Sequence, residues 1–147
     1  MSNIIFRGQN EEHHWDLKHE TMYSHFNQEY EDFCPENWES YLEADQGCTI
    51  ALILENREVV KNKTMIDIGC AHGGLLWYLK TKHLPDWKFV GSDFSSRVIQ
   101  ENQKRSSDVD WEQRDVLLNL ITQNYGIISC LQTIEHFQEG ENYKFID

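Results

Sequence analysis

The stretch TMIDIGCAHGG, residues 64–74, sets an acid inside a strand-like apolar run and follows it at once with a turn of small residues. An ionised carboxylate is costly to bury unless something pairs with it, so Asp67 requires a partner. The chain around it has a regular plan. Short apolar runs at TMIDIG (64–69), KFVGSD (88–93), VDWEQRD (109–115) and GIISCLQ (126–132) read as strands. GGLLWYLKTKH (73–83) and SSRVIQENQKR (95–105) read as helices, with a weaker helical turn at LLNLIT (117–122) and a last helix from Ile134. Strand and helix in alternation predict an α/β fold, a parallel sheet with helices on its faces. In such sheets ligands sit beyond the carboxyl ends of the strands, near the switch in strand order.

Those ends carry a distinctive set of residues. The first strand delivers Asp67, Gly69, Cys70, Ala71, His72 and Gly73; the second, Asp93, Phe94 and Ser95. The third delivers Asp115 and Val116, and the fourth Leu131 and Gln132. One loop acid is weak evidence, but three consecutive strands finishing on aspartate describe an acceptor-rich crevice built on rigid elements. Small residues at Gly69, Ala71 and Gly73 let the backbone approach a ligand closely. The helix opening near Gly73 offers unpaired N–H groups suited to a carboxylate.

Upstream, Trp15, Met22, Phe26, Tyr30 and Phe33 form a stripe at helical spacing that breaks at Pro35. A short helix with Trp38, Tyr41 and Leu42 follows, with Gly47 as its stop, and residues 48–60 read as a further helix. The formal charge of −12 argues against a nucleic-acid binder, which needs clustered Lys and Arg. No run approaches the ~18 apolar residues of a membrane span. The start MSNIIFRGQNEE lacks the pattern of a signal peptide, and the four cysteines form no CxxC pair. A reducing cytoplasm with free thiols, and no metal centre, is the expected setting. His14 and His19 lack the i, i+4 spacing of a zinc-binding helix.

In order and spacing, four segments resemble the class I S-adenosylmethionine-dependent methyltransferases. MIDIGCAHGG resembles the family's first motif, FVGSDFS the second, EQRDV the acid after strand three, and YGIISCLQTIEHF the strand-four segment. Glu135-His136 is similar to the small-molecule branch. The resemblance covers about residues 40–147. It implies a Rossmann-like doubly wound parallel sheet, the N-terminal half of a seven-stranded fold, with about four strands in the order 3-2-1-4. N-terminal helices in residues 1–43 would form a cap, and 44–147 an incomplete cofactor-binding domain. It further implies S-adenosylmethionine as cofactor. The methionyl ammonium and sulfonium would then give Asp67 its positive partner, and Asp93 would accept from the ribose hydroxyls. Phe94 would lie against the adenine, with Asp115 and the Val116 N–H at the adenine edge. Ala71 departs from the glycine more usual there.

Methyl transfer to a small-molecule acceptor is the function this implies, with His136 either a general base or simply a packed residue. Two other readings stay open. GCAHGG (69–74) also fits a relaxed dinucleotide fingerprint, though a pyrophosphate would be repelled by Asp67. A cofactor-binding module without catalysis would keep the same acids. Four strands where the family has seven suggest a fragment, inactive by itself. The uncovered edge of strand four would then be open to self-association.

Overall fold

The computed structural model describes residues 46–119 and 121–133. The expected N-terminal helices and cap, the final helix and His136 lie outside the described residues.

Strand β1 (Thr64–Ile68) is central because its residues are apolar on both faces. Met65, Ile66 and Ile68 are all buried, the pattern of an interior strand in a parallel sheet. Strand β2 (Lys88–Asp93) pairs with it on one side and β4 (Ile127–Ser129) on the other, while β3 (Asp110–Gln113) lies beyond β2. All pairs are parallel, in the order β3-β2-β1-β4 implied by the resemblance. The outer two strands are shorter than the sequence suggests. VDWEQRD contributes four residues and GIISCLQ three, and among the described residues each of these strands has a neighbour on one side.

Register decides which side chains share a face. Met65 stands beside Phe89 and Ile127, and Asp67 beside Gly91 and Ser129. Trp111 is level with Gly91. The face carrying Met65 and Phe89 forms one core with Ile50 and Ile53 of helix α1 (Gly47–Asn56), Leu75, Leu76 and Tyr78 of α2 (Gly74–Tyr78), and Ile99 of α3 (Ser96–Arg105). At about 25 cal/mol per Å² of apolar surface, each large side chain buried there contributes roughly 2 kcal/mol.

Three local expectations need correction. Gly47 opens a helix, lying in the first turn of α1, where the Ile50 N–H meets the Gln46 carbonyl at 2.9 Å; the helix it was expected to end lies outside the described residues. Nothing lies within 4 Å of where a Cβ would stand, so neither space nor backbone demands glycine there. The helix predicted for 48–60 ends at Asn56, and among the described residues 117–122 hold a turn rather than a helix.

The segment 73–83 is helical but changes pitch. After Tyr78 it widens into a π-helical turn, Leu79–His83, closed by the Leu84 N–H on the Leu79 carbonyl at 2.7 Å. Lys80 Nζ then caps the exit, donating to the carbonyls of Pro85 (2.6 Å) and Trp87 (3.0 Å).

Gly73 is required both by its left-handed backbone, φ +71°, and by the Trp111 ring, which fills the space of a Cβ. Gly73→Ala should lower stability by about 3 kcal/mol, combining the left-handed penalty with overpacking. Urea denaturation checks this; an unchanged midpoint would contradict the packing of Trp111 on the loop.

Candidate functional site

The carboxyl ends of β1 and β2 are tied together by one side chain. Asp93, the last residue of β2, accepts from the Ala71 N–H through Oδ2 (3.0 Å) and from the Ser95 N–H through Oδ1 (2.9 Å). The first bond holds the loop after β1; the second positions Ser95, the N-cap of α3, whose hydroxyl accepts from the Val98 N–H at 3.4 Å. The Gly69 and Cys70 N–H groups both reach the Ser92 carbonyl, at 2.8 and 3.0 Å. The loop is therefore stitched to β2 along its length.

Its backbone is unusual in three places. Gly69 and Gly73 have φ of +71°, and Ala71, between them, has φ of +46°. The missing side chains at the two glycines make room for the chain itself. Thr133 fills the space beside Gly69 and Trp111 that beside Gly73. Ala71 has no such release, and a left-handed alanine costs about 1–2 kcal/mol.

Asp67 is buried one residue before the end of β1. Its protein partner is Ser129, opposite it in register on β4, whose hydroxyl donates to Asp67 Oδ1 at 2.6 Å. Burial pushes the Asp67 carboxyl up to about 7, Ser129 pulls it down, and the charge of Asp93 adds to the rise. Cys70, within the loop, is buried, and burial followed by the charges of Asp93 and Asp67 pushes its thiol up, favouring the protonated form.

The remaining expected residues are at the same edge. His72 is half-buried, with Nδ1 3.3 Å from the Arg105 guanidinium. Phe94 is half-buried, and its carbonyl accepts from Gln113 Nε2 at 3.4 Å. Asp115 lies two residues beyond β3, where its carboxylate accepts from the Leu117 N–H at 3.0 Å and turns the chain at Val116. Leu131 packs at the margin of the core, and Gln132 is exposed with φ of +51°. Thr133 Oγ1 donates to the Ile68 carbonyl at 3.1 Å. Among the described residues no helix is long and apolar enough to cross a membrane.

Four contributors escaped the sequence reading: Trp111, Ser129, Thr133 and Asn102. Register could have revealed Ser129, because β4 sets it opposite Asp67. Asn102 carried a signal too, a polar residue on the helix face of Val98 and Ile99. Thr133 and Trp111 reach the loop through tertiary packing that no local pattern encodes.

The arrangement gathers acids at the carboxyl edge of the sheet, and among the described residues no cationic side chain pairs with the buried Asp67. Because the folded Asp67 favours its neutral form, the unfolded chain ionises first as pH rises. Stability is therefore lost between about pH 4 and pH 7 and is level above that window. Asp67→Asn keeps an acceptor for Ser129 and removes the ionisation. It should match the wild-type melting temperature at pH 4 and exceed it by several degrees at pH 8, where the gain in stability reaches up to a few kcal/mol. Equal melting temperatures at both pH values would contradict the buried placement.

Comparison with known proteins extends these observations. A family model described as a methyltransferase domain matches residues 66–144, more than half of the chain. Protein 235L of Invertebrate iridescent virus 6, provisionally named a methyltransferase, is 29% identical over 75 residues, 51% of this chain and 28% of that protein. Magnesium protoporphyrin IX methyltransferase from Synechocystis PCC 6803, solved with bound SAH, matches with a TM-score of 0.56 at 20% identity, over 68% of this chain and 46% of that one. PH0226 from Pyrococcus horikoshii OT3 matches with a TM-score of 0.58 at 19% identity, over 78% and 52%. At those identities the structural likeness is one of fold. The chain spans about a quarter of the viral protein and about half of each solved chain.

Proposed function

The chain belongs to the methyltransferase-domain family, and from that premise we propose that its crevice binds S-adenosylmethionine for methyl transfer to a small-molecule acceptor. The observation that carries the reading is Asp67, a buried acid at a strand end with a hydroxyl partner and, among the described residues, no cationic side chain beside it. A methionyl ammonium satisfies it; a pyrophosphate does not. The donor set fits the cofactor in the other positions too. Asp93, whose two oxygens accept from the Ala71 and Ser95 amides, ends β2 where the carboxylate of this fold would meet the ribose hydroxyls. Phe94 and the turn at Asp115–Val116 offer a flat apolar surface and a polar edge for a purine.

S-adenosylmethionine supplies an electrophilic methyl group on a sulfonium sulfur. What the residues contribute is alignment. Asp67 anchors the amino-acid end from the floor of the crevice, and Asp93 fixes the ribose while holding the loop above it. The loop between Gly69 and Gly73 sets the depth to which the ligand enters. For an amine or thiolate acceptor such alignment and exclusion of water supply much of the rate, with little demand for an acid or base. The acceptor class rests on Glu135-His136, the sequence feature similar to the small-molecule branch.

A dinucleotide is the alternative ligand that the loop spacing admits, and a melt separates the two. S-adenosylhomocysteine at about 100 times its Kd should stabilise the folded chain by about 3 kcal/mol and raise its melting temperature by several degrees. NAD at the same concentration should leave the transition in place. A shift with NAD, or with neither ligand, would overturn the reading. Asp93→Ala is the less informative variant here, because it also removes both amide anchors of the loop.

A further inference from the structure

The left-handed Ala71 is held from both sides of its peptide units. Its N–H is taken by Asp93, and its carbonyl accepts from Asn102 Nδ2 at 2.7 Å. The Cys70 thiol lies 3.7 Å from the same carbonyl, a weak donor beside a strong one. Asn102 comes from the middle of α3, thirty-one residues downstream, and is 1% exposed. Its position on the helix is one that packing would give to an apolar side chain, level with Val98 and Ile99 on the buried face. Moreover, its own Oδ1 is buried and accepts no hydrogen bond among the described residues.

That is a costly way to fill a helix face. A buried acceptor without a donor is a net loss to folding, and an aliphatic residue of similar volume avoids it. The asparagine is explained by what its other half does. It supplies a donor to the one loop carbonyl whose residue has a Cβ in the left-handed region, where glycine would need no help. We infer that Asn102 is a positioning residue: it locks Ala71 in its left-handed conformation and thereby fixes the loop between Gly69 and Gly73 for ligand entry. This rests on the proposed cofactor reading, since the loop is what the cofactor would meet.

The test crosses two substitutions at Asn102 with one at Ala71 in the full 147-residue chain, titrating S-adenosylhomocysteine by calorimetry. Asn102→Ala removes the side chain; Asn102→Leu keeps the number of side-chain heavy atoms while removing the donor together with the unsatisfied acceptor, and serves where the alanine variant is too unstable to titrate. Either should weaken binding about tenfold, the size of one net hydrogen bond. In the Ala71→Gly background the same substitution should cost threefold or less, because glycine enters the left-handed region without the Cβ penalty that the lock offsets. A residue that merely packs α3 would lose the same factor in both backgrounds, and that result overturns the inference, as does no loss in either. Should the unmodified chain bind no S-adenosylhomocysteine, the cofactor reading fails and the loop lock is judged on melting temperatures of the same set. The Asn102 substitution must then cost more degrees with Ala71 present than with Ala71→Gly; equal costs overturn the lock.

Discussion

The carboxylate of Asp93 is the interaction on which the rest of this structure depends. Its two oxygens join three elements: the loop after β1, the end of β2 and the N-cap of α3. Charge-assisted hydrogen bonds to backbone amides are among the stronger ones available to a fold. Here they act where a parallel sheet is weakest in order, at the points where the chain leaves its strands. With Asp93 in place, the loop can hold three left-handed residues in five, and Ser95 is positioned to cap the helix with its hydroxyl. The crevice is therefore a product of the same bond that closes the fold around it.

A second acid stands in tension with folding. Asp67 occupies an interior strand, between Ile66 and Ile68, and among the described residues the Ser129 hydroxyl is its hydrogen-bond donor. Folding alone would favour an apolar residue there. Ala71 and Asn102 show the same kind of cost, one in backbone strain and the other in an unsatisfied buried oxygen. All three lie within or directly against one loop. Local choices that work against stability and gather at one place are the physical mark of a site rather than of a scaffold.

Much of this was legible before the structure. The alternation of short apolar runs with helical ones specifies a parallel sheet, and Asp67, Asp93 and Asp115 are visible as strand-end acids from the sequence alone. The family motifs supplied the strand order. What could not be read was how the residues meet. Gly69 and Gly73 look like openings for a ligand, yet their space is taken by Thr133 and Trp111, which arrive from 64 and 38 residues away along the chain. Gly47 looks like a helix stop and is a helix start, because a glycine in a first turn and one after a last turn read alike. The pairing of Asp67 with Ser129 depends on register between β1 and β4, which sequence periodicity leaves open.

The central claim is that the crevice holds Asp67 in readiness for a cation. Calorimetric titration of S-adenosylhomocysteine at pH 6, in two buffers of different ionisation enthalpy, tests it most directly. At that pH the buried carboxyl is mostly protonated, and a bound ammonium would draw it into its charged form. The account predicts saturable binding with close to one proton released to the buffer per ligand. Binding with no proton released, or no binding at all, would contradict it.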